Sequence, residues 1–197
     1  MVEVSIFSVV IVGSALPSVV VLTPKKTAVA SQPNQSNLSN QLSQPRQPKS
    51  PKRQSQLVLP IWIGRSEATA IYTVLEKQAY ARPMAHDLLA NTIRALGAHV
   101  IRVVIDRVKD AAFFATIYLN RDGRTINLDA RPSDSIALAL RLQAPIFVDE
   151  DVINAAGRQF TAKISDGGDL LEDSEEAMEE FRDFLGSISP EDFVANE

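Results

Sequence analysis

The stretch DARPSDSIALALR, residues 129–141, decides the fold class of this chain. Pro132 fits the first turn of a helix, where its missing N–H costs nothing, and Ser133 or Asp134 can cap that helix. Residues 136–142 are apolar on nearly every side. A helix of this kind is buried on most of its surface, so we expect it to pack inside a larger body.

The segments upstream of this helix have the composition and period of strands. Residues 100–108 are rich in β-branched side chains, and residues 112–119 alternate between two faces. The Asp122-Gly123 pair is typical of a tight hairpin turn, which joins the second strand to a third at residues 124–129. We therefore expect antiparallel strands beside the buried helix.

Two more helices are predicted before these strands. The first begins at a Ser66 cap, and the second spans residues 85–96 and ends at Gly97. Helical spacing predicts the inward-facing residues. In the first helix these are Ala68, Ile71, Tyr72, Leu75 and Ala79, and in the second they are Leu89, Ile93 and Leu96.

Short elements complete the pattern. Strands are expected at residues 57–63 and 145–148, and helices at residues 151–156 and 172–185. Pro60 places the first of these strands at a sheet edge or a bulge, because proline cannot donate to a ladder. The predicted fold class is α+β: a mixed, mostly antiparallel sheet with helices packed on it, in a single domain.

Composition excludes several classes of site. The chain has 197 residues, no cysteine and two histidines, His86 and His99. Disulfides, thiolate metal sites, cysteine nucleophiles and a three-histidine zinc centre within one chain are therefore excluded. The net charge of −4 argues against a strongly basic nucleic-acid binder.

Charge is distributed unevenly and divides the chain into four parts. We expect residues 1–24 to form an N-terminal hairpin and residues 25–56 to be a disordered basic insertion rich in Gln, Ser and Pro. Residues 57–165 form the body, and residues 166–197 form an acidic helix and tail. The insertion can attract nucleic acid through its phosphates, or it is only a solvated linker.

The uncharged N-terminal run, residues 4–22, has the length of a membrane span. It is interrupted by Gly13-Ser14 and Pro17 and is rich in valine and isoleucine. These features favour two strands, residues 2–12 and 18–23, over a membrane helix. We expect no membrane association and a cytoplasmic location.

Three polar clusters lie where a helix is expected to begin. In the first, His86 and Asp87 can bind a metal, orient a water or supply a general base. The alternative is that Asp87 complements the helix dipole and His86 caps the helix. In another cluster, at the start of the first predicted helix, Glu67 lies two residues after Arg65 and can add another carboxylate. A glutamate in a first turn is, however, common because of the helix dipole alone.

The second cluster, at the start of the quoted stretch, combines Asp129, Arg131, Ser133 and Asp134. Two carboxylates near an arginine and a helix N-terminus can hold a divalent cation and a phosphate. The alternative is a structural turn in which Arg131 bridges to Asp129. His99 has no polar neighbours in sequence, and we interpret it as structural.

Four runs carry a family resemblance: LPIWIGRSEATAI (59–71), RPMAHDLL (82–89), DARPSDSIALALR (129–141) and APIFV (144–148). Together they closely resemble the bifunctional nuclease domain family, over about residues 57–157. The resemblance implies a bacterial or plant-type enzyme that hydrolyses RNA and DNA, with an α+β fold that self-associates as a dimer or a higher homo-oligomer. One departure is Ala85, where the family commonly has threonine.

The resemblance also directs attention to the polar clusters as one site. The residues to which we assign catalysis are His86, Asp87, Arg131 and Asp134; those for substrate binding are Arg65, Arg82 and Ser133; those for metal are Glu67, Asp129 and Asp134. We expect a divalent cation, Mg²⁺ or Mn²⁺, to activate water, and no organic cofactor. Arg131 would stabilise the phosphorane, and His86, oriented by Asp87, would transfer a proton.

Two further functions are compatible with the same residues. One is a non-catalytic regulatory or scaffold domain whose clusters bind a phosphate-bearing ligand or nucleic acid, or only stabilise the fold. The other is nucleic-acid binding through residues 25–56, with an affinity that falls steeply with salt.

Overall fold

In a computed structural model that describes residues 1–11, 17–25, 53–163 and 175–188, two runs of three strands are separated by a pair of helices, and helices then alternate with single strands. The strands are β1 (Val2–Val10), β2 (Ser18–Pro24), β3 (Arg53–Ile63), β4 (Ala98–Lys109), β5 (Ala112–Arg121), β6 (Arg124–Ala130), β7 (Ile146–Val148) and β8 (Arg158–Lys163). The helices are α1 (Arg65–Leu75), α2 (Ala85–Ala95), α3 (Pro132–Leu142), α4 (Glu150–Ala156) and α5 (Glu175–Gly186).

The described strands form one sheet in the order β6-β5-β4-β7-β1-β2-β3-β8. Neighbouring strands are antiparallel except β4 and β7, which are parallel. The Asp122-Gly123 turn has positive φ at both residues, as a type I′ hairpin requires. The predicted α+β class and the mostly antiparallel sheet are confirmed.

Helix α3 lies at the centre of the helical layer and contacts α1, α2, β4 and β5. Its residues from Ile136 to Ala139 are almost completely buried, as the apolar sequence predicts. The predicted cap is wrong, because Arg131 is the N-cap residue and makes no side-chain cap. Pro132 is the first helical residue, and Asp134 is the third.

The N-terminal run forms the predicted hairpin, with residues 12–16 outside the described residues. Strand β2 is buried on both faces: Val20 and Leu22 belong to the main core, while Val19 and Val21 pack with Phe160. Burial on both faces explains why the run contains no charge. Within the described ranges, none of the helices is both long and apolar enough to cross a membrane.

The sheet is larger on one side than the sequence predicts. Strand β3 begins at Arg53, so residues 53–56 belong to the sheet and not to the insertion. Residues 26–52 lie outside the described part of the chain. Strand β8, for which the sequence predicts no element, pairs with residues 53–58 of β3. Pro60 lies beyond the last of these pairs, on a stretch of β3 that pairs with β2.

Helices α1 and α2 differ from the prediction at their ends. Gly64, not Ser66, is the N-cap residue of α1, which ends at Leu75 and therefore excludes Ala79. Gly97 follows α2 with a φ of +70°, as predicted. The predicted inward faces are partly wrong: Ile71 and Ile93 are buried, whereas Tyr72, Leu75, Leu89 and Leu96 are exposed.

The acidic helix α5 packs on the opposite face of the sheet from α3. Phe181 is buried against the rings of Phe7 and Phe160. Residues 166–174 and 189–197 of the predicted acidic segment lie outside the described residues. The structure thus has a main core under α1 to α4 and a smaller aromatic cluster under α5.

Candidate functional site

The N-terminal ends of α1, α2 and α3 meet at one cleft of about 610 Å³. Three separate segments of sequence therefore contribute to it: Glu67 from α1, His86 from α2, and Arg131 and Asp134 from the start of α3. The floor is formed by β5 and β6, where Ile117 and Leu128 line it. The three predicted polar clusters converge through these four residues.

Arg131 connects two of the three helices. Its guanidinium forms a bidentate pair with Asp134, with Nε 2.8 Å from Oδ2 and Nη2 3.2 Å from Oδ1. Its Nη1 lies 3.0 Å from Oε1 of Glu67. Arg131 thus bridges Glu67 and Asp134, and does not bridge to Asp129 as the structural-turn alternative expected. The arginine side chain is 65% exposed.

His86 binds the same aspartate. Its Nε2 lies 3.0 Å from Oδ1 of Asp134, and the imidazole is 17% exposed. The expectation that Asp87 orients His86 is wrong, because the partner is Asp134. Burial acts to raise the pKa of Asp134, but the hydrogen bonds from Arg131 and His86 outweigh it and hold this pKa below its ordinary value.

Asp87 instead belongs to a network behind the cleft. Its Oδ1 lies 2.5 Å from Nε of Arg141, and its Oδ2 accepts a 2.9 Å hydrogen bond from the backbone N–H of Met84. Burial acts to raise the pKa of Asp87, while these two donors lower it, and the net shift is downward. The Met84 contact also satisfies a free N–H at the start of α2.

Glu67 is held by its sequence neighbour. The Ser66 hydroxyl donates to Oε2 at 2.8 Å, which is the largest cause lowering the pKa of Glu67, and Arg131 adds to it. The carboxylate folds back over Gly64: a Cβ on that residue would lie 2.2 Å from Oε2. A glycine at the N-cap position therefore allows Glu67 to reach Arg131.

The other predicted site residues are placed differently. Asp129 borders the cleft but is exposed, and Arg131 turns away from it to Glu67 and Asp134. Arg65 is exposed at the start of α1, away from the lining of the cleft. Arg82 borders a smaller pocket with Asp87. Ser133 is buried and lines a neighbouring groove.

The three predicted metal ligands are not gathered in this structure. Among the residues that the structure describes, no group of three or more His, Cys, Asp or Glu side chains is placed to hold a metal ion. Glu67 and Asp134 bind Arg131, and Asp129 does not join them. Binding of a divalent cation by Glu67, Asp129 and Asp134 therefore stays a prediction.

Arg141 is a residue of this region that the sequence prediction missed. It follows Asp134 by seven residues, which places both on one side of α3, two turns apart. Its side chain is only 8% exposed. Besides Asp87, its Nη1 donates to the carbonyls of Ala70 and Ala137, each at 2.9 Å. A charged residue in a buried helix was the available signal.

The arrangement can bind an anion and move a proton. An arginine has five N–H donors, and the contacts of Arg131 with Asp134 and Glu67 use three of them. Because a carboxylate only accepts hydrogen bonds, we assign the proton of the neutral His86 to Nε2, facing Asp134. Its Nδ1 then carries a lone pair that can accept a proton.

Comparison with known proteins finds a matching family. The family described as "Bifunctional nuclease domain" matches residues 51–161. An uncharacterized protein of Mycobacterium tuberculosis is 42% identical over 139 residues, which is 70% of this chain and 81% of that protein.

Plant proteins are more distant. Bifunctional nuclease 1 of Oryza sativa subsp. japonica is 29% identical over 101 residues, which is 50% of this chain and 30% of that protein. Bifunctional nuclease 1 of Arabidopsis thaliana is 26% identical over 114 residues, 55% of this chain and 35% of that protein. The chain thus matches about a third of the length of each plant protein.

Proposed function

Because this chain belongs to the bifunctional nuclease domain family, we propose that it hydrolyses phosphodiester bonds in RNA and DNA with little sequence preference. One observation carries the proposal: His86 and Arg131 bind the same carboxylate, that of Asp134, at the edge of one cleft. A proton-transfer group and an anion-binding group are thereby held side by side, as phosphoryl chemistry requires.

Arg131 binds the scissile phosphate in this proposal. Asp134 binds Nε and Nη2 of this guanidinium and Glu67 binds Nη1, which leaves two of the five N–H donors for a ligand. A planar guanidinium fits two phosphate oxygens, and its charge stabilises the additional negative charge of the phosphorane. Asp134 also raises the pKa of Arg131, so the group stays charged at any pH of interest.

His86 transfers the proton. With Nε2 held by Asp134, Nδ1 takes a proton from the attacking water and later gives it to the leaving oxygen. Asp134 acts on the imidazole as an orienting group and stabilises the cation that forms. No step in this proposal passes through a metal ion, because the carboxylates that would hold one bind Arg131.

The test uses the two histidines of the chain as a matched pair. His86→Gln removes the proton-transfer group, whereas His99→Gln changes an exposed residue of β4. We expect the His86 variant to lose about 10²- to 10⁴-fold in cleavage rate on single-stranded RNA and DNA, and the His99 variant to keep it. Equal rates from both variants, purified in parallel, would contradict the mechanism.

Each reaction is run with Mg²⁺, with Mn²⁺ and with chelator. Glu67 and Asp134 carry two negative charges against the one positive charge of Arg131. This part of the cleft is therefore negative when His86 is neutral, which weakens phosphate binding. A cation that arrives with the phosphate would offset this charge. A rate that depends strongly on the cation would contradict the metal-free step proposed above.

The second candidate is a non-catalytic scaffold or regulatory domain. The observation that favours it is a continuous chain of contacts, in which Glu67 binds Arg131, Arg131 binds Asp134, and Asp134 binds His86. Such a network stabilises three helix ends without any ligand. In that case the His86→Gln protein would lose stability in urea, but the wild type would cleave no faster than the His86→Gln protein.

We also propose that the protein self-associates through β6, the strand at one end of the described sheet. Ile126 and Leu128 on its helix side are exposed, and an uncovered strand edge with apolar side chains favours pairing. Size-exclusion chromatography with light scattering measures the molar mass in solution and tests this proposal. Ile126→Glu should yield monomer, whereas Thr125→Glu, on the opposite side of the strand, should not; a dimer from both variants would contradict this interface.

A further inference from the structure

A second groove of about 430 Å³ lies beside the cleft, and Asp129 and Arg131 line both. We call it the aromatic groove, because it is also lined by Trp62, Phe113 and Phe114. Its volume is near the lower end of the roughly 300–1,000 Å³ typical of small-ligand sites. Arg131 thus stands between the cleft and the aromatic groove.

The groove exists because the sheet curves. Trp62 belongs to β3 and Phe114 to β5, which are separated by four strands in the sheet order. Both nevertheless line the same space, together with Ser133 at the start of α3. The site is therefore built by the fold from three distant segments.

Charge at the groove favours an anionic chain. The guanidinium of Arg107 lies 4.3 Å from the ring centroid of Phe114 and covers one face of it. Arg131 lies at the end shared with the cleft. The one acid lining the groove is Asp129, which repels phosphate but can accept a hydrogen bond from an N–H group on the edge of a base. Positive charge beside aromatic rings, together with a carboxylate that can accept a hydrogen bond from a base, fits a nucleotide.

We propose that the aromatic groove binds one unstacked nucleobase of a single-stranded nucleic acid whose neighbouring phosphate binds Arg131. Aromatic side chains bind bases by stacking, which requires that the base has left any duplex. The inference rests on the proposed nuclease function and deepens it, because it makes single strands the preferred substrate over duplexes.

The chain contains one tryptophan, Trp62, so its fluorescence reports on this groove alone. The probe is oligo(dT), compared with the same strand annealed to oligo(dA), and the protein is the full-length wild type and the uncleaving His86→Gln variant. We expect saturable quenching by the single strand and an affinity for the duplex at least tenfold weaker.

Two aromatic residues of β5 provide matched variants. Phe114 lies under Arg107 and lines the groove, whereas Tyr118 lies under Arg102 outside the lining. Phe114→Leu keeps an apolar side chain but removes the stacking surface, and should weaken oligo(dT) binding by about 5- to 150-fold, from about 1–3 kcal/mol per stacked base. Tyr118→Leu should bind as the wild type does.

The outcomes separate this inference from the function on which it rests. Cleavage of single strands and duplexes at equal rates, with unchanged tryptophan emission, would overturn the groove and leave the nuclease standing. Equal weakening by Phe114→Leu and Tyr118→Leu would also overturn it. Quenching that Phe114→Leu abolishes, in a protein that cuts nothing, would support the groove and contradict the nuclease.

Discussion

Replacing Arg141 by methionine should destabilise the protein more than the replacement of any other single charged residue near the cleft. The side chain is 8% exposed and joins three helices: it binds Asp87 of α2, the carbonyl of Ala70 in α1 and the carbonyl of Ala137 in its own helix. Methionine fills a similar space but makes none of these contacts. The aspartate then loses its charged partner.

The magnitude follows from those contacts. A hydrogen bond to a charged group contributes about 1.5–3 kcal/mol, and breaking a buried pair by removing one partner costs about 3–5 kcal/mol. Asp87 is a third exposed and keeps the Met84 N–H, so water can replace part of the loss. We therefore expect a decrease of about 3 kcal/mol in the free energy of unfolding, a large share of the roughly 5–15 kcal/mol of a typical domain.

Urea unfolding followed by circular dichroism measures this change, with the m-value expected to stay constant. Arg94→Met is the matched control, because Arg94 is exposed and donates only to the Arg141 carbonyl at 3.1 Å; it should cost less than about 1 kcal/mol. The double variant with Asp87→Asn should show coupling of about 1.5–3 kcal/mol. An Arg141→Met protein as stable as Arg94→Met would refute the reasoning.

Three further predictions concern stability. The pKa of Asp134 is lower in the folded protein than in the unfolded chain, so the ionised carboxylate stabilises the fold above the unfolded-state pKa, and this stabilisation is lost as the pH falls through the folded-state pKa. Asp134→Asn should therefore flatten the acid side of the profile of unfolding free energy against pH, measured in urea. An unchanged slope would count against this. Gly123→Ala should cost about 1 kcal/mol because φ is +76° there, whereas Gly186→Ala, with open space at its Cβ, should cost nothing; thermal melts compare them. Phe181→Ala should lose about 3 kcal/mol, since its ring is buried against Phe160; a loss under 1 kcal/mol would show that α5 adds little.

The elements that the sequence predicts well are those that local chemistry defines. The Asp122-Gly123 turn, the apolar helix after Pro132 and the end of α2 at Gly97 each depend on a few adjacent residues. Strand β8 is not defined by local chemistry, since its sequence RQFTAK shows little alternation of apolar and polar residues and has Phe160 as its buried anchor. Its pairing with β3 defines it, and pairing across a hundred residues is not visible in one sequence.

Glu67, His86, Arg131 and Asp134, which meet at the cleft, were all predicted from the sequence, but their pairings were not. His86 and Asp87 are adjacent in sequence, but successive residues of a helix point about 100° apart. His86 therefore faces Asp134 on α3, and Asp87 faces Arg141. Which carboxylate binds the imidazole depends on how α2 lies across α3, and this is a result of tertiary packing.

Strand β7 has a consequence for how the protein is made. It is three residues long, yet within the described sheet it alone joins β4 to β1. Residues 2–4 and 146–148, which pair there, leave the ribosome about 140 residues apart, a delay of roughly 7–30 s at about 5–20 residues per second. During that time the valine-rich edge of β1 is open to other nascent chains. Chaperone occupancy of the first hairpin during translation should therefore limit the yield of folded protein.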